Sequence, residues 1–151
     1  MLRSIVNIKA FAAAFLLMLC FAFGGQPASA GEAQQWHHTS FDKAKKQAAK
    51  KGMPLFIYLH KPDCGRCITT WKGISTDPAL QKRLKKEVVL VYVDTSANRP
   101  DFQKAYASIR TKGGSFGTPL IGIVGKDGTV LVDNEGYASV AQINGFLDKI
   151  K

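Results

Sequence analysis

The sequence has few cysteines and no apolar run long enough to cross a membrane as a helix. Of its three cysteines, only Cys64 and Cys67 lie beyond the first thirty residues. With only two cysteines beyond residue 30, the chain cannot form the several disulfides that stabilise many small secreted proteins. The longest apolar run, residues 10–23, has fourteen residues, whereas a bilayer-spanning helix needs about eighteen or more. With 151 residues and no internal repeat, the chain is predicted to form one globular domain.

The first thirty residues are typical of a secretory signal peptide. Arg3 and Lys9 precede the apolar run, and residues 28–30 have the small-residue sequence Ala-Ser-Ala. This order of a charged start, a short apolar core and small residues is the pattern that signal peptidases cleave. We therefore predict cleavage after Ala30 and a mature protein that is periplasmic or otherwise exported. The alternative interpretation of this segment is an uncleaved N-terminal anchor.

Basic residues outnumber acidic ones, 21 against 11, which gives the chain a formal net charge of +10. Loss of Arg3 and Lys9 with the signal peptide would leave +8. Much of this charge lies in residues 43–51 and 82–86, at spacings typical of the solvent side of amphipathic helices. A solvated surface with a weak attraction for anionic membranes or acidic partners accounts for it. Nucleic-acid binding is not predicted, because no aromatic residues alternate with the basic ones.

The hydrophobic pattern after residue 39 predicts alternating helices and strands. Residues 31–39 are polar and are predicted to form a loose N-terminal segment, and residues 40–151 the folded domain. Predicted helices begin after Ser40, at the cysteine motif, after Asp77, at Pro100 and after Ser139, and predicted strands cover residues 55–60, 88–93, 120–124 and 129–132. Helices between the first strands imply a parallel pair, and Gly125-Lys126-Asp127-Gly128 indicates a terminal hairpin. The predicted fold class is an α/β three-layer sandwich with a mixed sheet flanked by helices.

The Cys64-Gly65-Arg66-Cys67 motif follows a buried strand directly and leads into a helix. A helix N-terminus has unpaired N–H groups and a partial positive charge, which favour the thiolate over the thiol. Cysteines three residues apart lie almost one helical turn apart, so the first can face solvent while the second lies behind it. We therefore predict Cys64 as the nucleophile and Cys67 as the thiol that resolves the mixed disulfide.

Metal binding and a purely structural disulfide are the alternative interpretations of the cysteine pair. A zinc site needs about four ligands, and the other imidazole candidates are His37, His38 and His60. None of them has a ligand spacing that matches the cysteines. A disulfide that closes so small a loop would add little stability. We predict no metal and no cofactor beyond the redox-active Cys64–Cys67 disulfide.

Several segments carry a family resemblance. They are residues 54–59, the cysteine motif, Ser75-Thr76-Asp77-Pro78, residues 80–82 and 89–91, Gly117-Thr118-Pro119, and residues 125–128. On these segments the chain from residue 54 to residue 150 resembles the thioredoxin superfamily, in particular its periplasmic branch. Within that branch it is similar to the C-terminal thioredoxin-like domain of the transmembrane disulfide-reductant conductor.

The resemblance implies a thioredoxin-like fold and a monomer that exchanges thiols and disulfides with proteins of the cell envelope, including a candidate membrane thiol reductant. Reduction or isomerisation is favoured over bulk oxidation. The resemblance also implies a cis peptide bond before Pro119, which would lie against the Cys64 sulfur. The Thr118 backbone would then pair with an extended peptide of the partner. A thioredoxin-fold metallochaperone with the cysteines as copper ligands is the rival class, although such proteins usually have a wider cysteine spacing and a histidine later in the chain.

Three positions depart from the family pattern. Tyr58 stands where family members often have a buried acid, Asp63 stands where a tryptophan often precedes the first cysteine, and the run at residues 111–116 is longer than usual. His60 lies on the same strand face as Tyr58 and is a candidate proton acceptor for Cys67. The favoured alternative is a packed histidine whose ring is hydrogen-bonded to backbone, and His37 and His38 are interpreted as tail residues.

The charged neighbours of Cys64 are predicted to tune its reactivity in opposite directions. Arg66 lies between the cysteines, where a cation favours the Cys64 thiolate, whereas Asp63 on the other side disfavours it. The alternative for Arg66 is a side chain that points to solvent and contacts partner proteins.

Overall fold

The computed structural model describes residues 36–110 and 116–150. The predicted signal peptide, its cleavage after Ala30 and most of the run at residues 111–116 lie outside the described residues. Within the two described ranges, no helix is long and apolar enough to span a membrane.

The order of helices and strands confirms the order predicted from the sequence. The described elements are α1 (Phe41–Lys51), β1 (Leu55–His60), α2 (Gly65–Thr76), α3 (Pro78–Glu87), β2 (Val89–Asp94), α4 (Arg99–Ile109), β3 (Leu120–Val124), β4 (Val130–Glu135), α5 (Val140–Leu147) and a 3-10 turn (Asp148–Ile150). The alternation of apolar residues therefore identified each element to within a few positions.

The four strands form one mixed sheet in the order β2-β1-β3-β4. β1 pairs with β2 in parallel, from Leu55 opposite Val89 onward. β3 runs antiparallel to β1, and β4 completes the predicted hairpin with β3. Because β1 lies at the centre with a parallel neighbour, it is covered on both faces, which accounts for its continuous apolar sequence.

Alternate residues of the sheet pack into two separate hydrophobic layers. One face contributes Phe56, Tyr58, Leu90, Ile121, Ile123 and Val132 to a core with α2, α3 and α5. The other contributes Leu55, Ile57, Leu59, Val89, Val91, Val93 and Leu120 to a core with α1 and α4. Burial of one such aliphatic or aromatic side chain contributes about 1.5–3 kcal/mol. The three-layer α/β sandwich is therefore confirmed.

The segment before α1 differs from its prediction as a loose tail. The His38 N–H donates to the Leu90 carbonyl at 2.8 Å, and the Tyr92 N–H donates to the His38 carbonyl at 2.7 Å. Trp36 stacks on Trp71 with ring centroids 6.2 Å apart. The prediction is thus wrong for residues 36–38, because the open edge of β2 offers backbone hydrogen-bond partners that the local sequence does not indicate.

The start of α1 is also held in a way that the sequence did not indicate. Ser40 occupies the N-cap position, but within the described part of the chain its side chain makes no capping hydrogen bond. The Phe41 N–H instead donates to Asp101 Oδ2 at 3.0 Å, and Asp101 itself is buried near the start of α4. By contrast, Asp77 and Ser139, after which the sequence predicts helices, both cap those helices, and Ser139 forms a capping box with Gln142.

Candidate active site

Cys64 lies at the junction between β1 and α2, where the chain leaves the sheet. It is the N-cap residue of α2, and its Sγ accepts a hydrogen bond from the Cys67 N–H at 3.1 Å. The unpaired N–H groups of the first helical turn therefore face this sulfur, as the motif predicted. Such a contact stabilises negative charge on Cys64 when the protein is reduced.

The two cysteines form a disulfide with their Cα atoms 5.1 Å apart. Cys64 is half-buried, whereas only 2% of Cys67 is exposed. An incoming sulfur can therefore reach Cys64 and is kept from Cys67 by the surrounding protein.

The loop before β3 lies against the first cysteine. The Thr118–Pro119 peptide bond is cis, the isomer that the family resemblance implies. The Thr118 carbonyl oxygen is 3.4 Å from Cys64 Sγ. On its far side, the Pro119 carbonyl accepts a hydrogen bond from the Gly136 N–H at 2.8 Å. This loop and the helix N-terminus thus both border the Cys64 sulfur.

Glu135 of β4 holds this loop, and Arg110 pairs with both Glu135 and Asp133; sequence reasoning missed all three residues. Glu135 Oε1 accepts a hydrogen bond from the Gly117 N–H at 2.6 Å, and Glu135 Oε2 is 3.1 Å from Arg110 Nη1. Arg110 also pairs with Asp133 at 2.9 Å. A Cβ at position 117 would lie 2.6 Å from Glu135 Oε1, so a larger residue there would displace the Glu135 carboxylate from this contact. No local spacing signals such contacts, because they join the end of α4 to β4.

The side chains of Arg66 and Asp63 are both exposed. Arg66 Nη1 lies 3.7 Å from the position that a Cβ at Gly136 would occupy, so the guanidinium extends toward the turn after β4. Ile68 and Tyr137 are the exposed apolar side chains near these residues, 59% and 48% accessible. The surface around the cysteines therefore combines a cation with apolar side chains.

Tyr58 occupies the core behind the disulfide. Its hydroxyl donates to the Cys67 carbonyl at 2.8 Å, and burial raises the pKa of the phenol well above its usual range. Tyr58 therefore keeps its proton at neutral pH. It binds the start of α2 to the sheet and cannot serve as a base.

His60 is a packed histidine at the end of β1, with 6% of its surface exposed. Its ring stacks on Tyr92 with centroids 3.9 Å apart, and its Nδ1 is 3.3 Å from the Tyr92 hydroxyl oxygen. Burial lowers the pKa of His60, while the Asp94 charge and the Lys61 backbone partly oppose that shift. The imidazole is therefore neutral at neutral pH.

His37 also differs from its prediction as a tail residue. Its ring packs edge-on against Trp71, with centroids 5.0 Å apart, and against Tyr92 at 5.5 Å. Burial, followed by the charge of His38, lowers the pKa of His37. Across residues 36–110 and 116–150, no three His, Cys, Asp or Glu side chains cluster closely enough to hold a metal ion.

Comparison with known proteins gives one family match. Residues 41–151 match the family model described as a thioredoxin-like domain. No curated protein sequence matches the chain.

Solved structures give a likeness of fold. A thioredoxin from Thermus thermophilus has a TM-score of 0.59 and 20% identity, over 76% of this chain and 85% of that one. The oxidised DsbD C-terminal domain of Neisseria meningitidis has a TM-score of 0.57 and 18% identity, over 76% and 99%. A disulphide isomerase from Xylella fastidiosa has a TM-score of 0.55 and 19% identity, over 72% and 86%.

Proposed function

The chain belongs to the thioredoxin-like domain family and is a thiol–disulfide oxidoreductase, and on that premise we propose that it is an exported protein that reduces or isomerises the disulfides of other proteins. The observation that carries the proposal is the arrangement of the two sulfurs. Cys64 is accessible at a helix N-terminus beside the Thr118–Pro119 step, and Cys67 is buried behind it.

The proposed reaction begins with the reduced protein. The Cys64 thiolate attacks one sulfur of a partner's disulfide, forms a mixed disulfide and releases the partner's other sulfur as a thiolate. Cys67 then loses its proton and attacks Cys64 Sγ. The Cys64–Cys67 bond forms, and the bond to the partner breaks. Two electrons have passed from the protein to the partner, which leaves as a dithiol.

The partner is proposed to bind as an extended segment along the loop that contains Thr118. The Thr118 carbonyl is 3.4 Å from Cys64 Sγ, so a backbone that pairs with this residue brings its own sulfur close to Cys64. The exposed side chains of Ile68 and Tyr137 would contact apolar residues of such a segment.

Two observations support export and the reductive direction. The first thirty residues have the order of charge, apolar core and small residues found in signal peptides. Relatives of similar fold include a DsbD C-terminal domain and a disulphide isomerase. A membrane thiol reductant would regenerate the dithiol. The chemistry uses only the two sulfurs, so exchange activity is expected to survive treatment with a metal chelator.

Trapping of mixed disulfides tests the roles of the two cysteines. In Cys67→Ala the resolving sulfur is missing, so mixed disulfides between Cys64 and partner proteins should accumulate on non-reducing gels. Cys64→Ala is the matched control and should trap few partners, because Cys67 is buried. Equal trapping by both variants would contradict the proposed roles.

The reduction potential tests the direction of electron flow. Equilibration of residues 31–151 with glutathione buffers should give a potential between those of thioredoxin and protein disulfide isomerase, about −270 to −180 mV. A value near that of the strong oxidant DsbA, about −120 mV, would contradict a reductive or isomerising role.

A further inference from the structure

The buried imidazole of His60 borders a cavity that also reaches the resolving cysteine. The cavity has a volume of about 310 Å³, with Cys67, His60 and Tyr92 among the residues that line it. Lys61 and Lys72 lie at its solvent side and are exposed. The two groups therefore share one space into which water can enter from the surface.

One ring nitrogen of His60 is paired and the other is not. Nδ1 is within hydrogen-bond distance of the Tyr92 hydroxyl, whereas the buried Nε2 has no partner among the described residues. When Nδ1 carries the ring proton and donates a hydrogen bond to the Tyr92 oxygen, the lone pair of Nε2 is free to accept a second proton. Because His60 and Cys67 line the same cavity, a water molecule there can bond to Nε2.

The other titratable groups near His60 are less suited to take the proton of the Cys67 thiol. The Tyr58 hydroxyl donates to the Cys67 carbonyl and keeps its proton. Lys61 and Lys72 are cations that have no lone pair to offer. The Asp94 carboxylate lies opposite His60 on β2, but it already accepts hydrogen bonds from Ser96 and from the Ala97 N–H and is not among the residues that line the cavity.

We propose that His60 Nε2 is the base that takes the proton of the Cys67 thiol, directly or through one water, during resolution of the mixed disulfide. The Cys67 sulfur, now a thiolate, forms its bond to Cys64 Sγ, and the partner leaves as a thiolate. The proton on His60 passes to that leaving thiolate or to water. Tyr92 is a positioning residue that fixes the tautomer through Nδ1. The inference rests on the proposed function, because it assigns a base to its second step.

Single-turnover kinetics test the assignment. A mixed disulfide between Cys64 and a chromophoric aromatic thiol is prepared, and release of that thiol by Cys67 is followed against pH. His60→Gln should slow release about 100-fold at neutral pH, the lower end of what a positioned base contributes. The deficit should vanish above about pH 8.5, where a thiol ionises unaided. His38→Gln is the matched control and should behave like the wild type.

The first step separates this inference from the proposed function. In a Cys67→Ala background, Cys64 should attack a disulfide of the same aromatic thiol at one rate, whether or not His60→Gln is also present. Loss of attack in every variant would refute disulfide exchange itself. Normal attack together with unchanged resolution in His60→Gln would overturn only the role of His60, and so would equal slowing of both steps.

NMR of the unaltered protein provides a second test that does not depend on how a variant folds. In the dithiol form, the His60 ring signals should show a second inflection at the pH at which Cys67 ionises. In the disulfide form that inflection should be absent, and the His38 signals should lack it in both forms. Absence of the inflection from the dithiol form would overturn the proposal. In Tyr92→Phe the tautomer is no longer fixed, so the pH profile of resolution should shift while Cys64 attack stays the same.

Discussion

Asp63 directly precedes Cys64 and Arg66 lies two positions after it, and both side chains are exposed to solvent. A cation near Cys64 stabilises its thiolate and hence the reduced protein, which makes the reduction potential less negative. The Arg66 guanidinium lies near Gly136, whose N–H binds the Pro119 carbonyl, so this cation stays beside the loop that faces Cys64. The sequence-based hypothesis of opposite electrostatic effects therefore stays a prediction.

We expect Arg66→Ala to raise the pKa of the Cys64 thiol and to make the reduction potential more negative. Asp63→Ala should move both in the opposite direction. The interaction of an exposed charge with the Cys64 thiolate is worth about 0.2–1 kcal/mol. For a two-electron couple this energy corresponds to a change in reduction potential of about 20 mV or less. Thiolate absorbance against pH and glutathione equilibration measure the two quantities. Lys126→Ala, in the hairpin between β3 and β4, is the control; equal effects there would assign the change to net charge alone.

Glu135 is predicted to act on the loop that presents Thr118. Its carboxylate accepts the Gly117 N–H and also pairs with Arg110, whereas the neighbouring Asp133 pairs, among the described residues, with Arg110 alone. Glu135→Ala removes the acceptor, so it should slow reduction of a protein disulfide several-fold and leave the reaction of Cys64 with a small aromatic disulfide much less affected. Asp133→Ala is the matched control for loss of one β4 carboxylate. Equal effects of the two variants on the protein substrate would show that the Gly117 contact is unimportant.

At the scale of the elements, α1 depends on a residue from α4. Asp101 Oδ2 accepts hydrogen bonds from the Phe41 N–H and from Asn98 Nδ2, both at 3.0 Å. Asp101→Ala removes this buried acceptor and should lower the free energy of unfolding by about 1–3 kcal/mol. Ser40→Ala should cost less than about 0.5 kcal/mol, since Ser40 makes no capping bond in the described structure. Urea unfolding of the oxidised protein measures both, and a larger loss for Ser40→Ala would contradict this account.

The contrast between Ser40 and Asp101 shows what the sequence could predict. Caps such as Asp77, whose carboxylate accepts the Leu80 N–H three residues later, follow from local spacing. The Asp101 cap joins residues sixty positions apart and has no local signal. Likewise the motif and strand order located Cys64 and Cys67, while the partner of His60 Nδ1, the Tyr92 hydroxyl, depended on the register of β1 with β2.

At the scale of the whole molecule, aromatic residues join the segment before α1 to the site. Trp36 stacks on Trp71, Trp71 packs against Tyr92, and Tyr92 stacks on His60. These rings cover the side of α2 that carries Cys67. Removal of residues 31–38 should therefore expose Trp71, a change that its fluorescence would report. The edge strand and the active site thus share one packed layer.

Two histidines of this layer make the stability of the fold depend on pH. Burial lowers the pKa of both His37 and His60 in the folded protein. Below the ordinary histidine pKa of about 6.5, the unfolded chain binds protons that the folded protein does not, so stability falls as pH falls. The contribution of these two histidines to folding stability is complete above about pH 6.5. It is lost as the pH decreases toward their lowered pKa values in the folded protein. Protonation of carboxylates affects the stability of the fold only at lower pH, near 4.

We therefore expect the Tm of the oxidised protein, whose cysteines do not titrate, to fall between about pH 7 and pH 5. In the double variant His37→Phe with His60→Phe, both rings remain packed but no longer bind protons, so Tm should change much less over this interval. His38→Gln, which alters the neighbouring imidazole, should keep most of the wild-type dependence. Differential scanning calorimetry at matched ionic strength measures the three curves. If the double variant keeps the full slope, the titrating groups lie elsewhere and the buried imidazoles do not control acid stability.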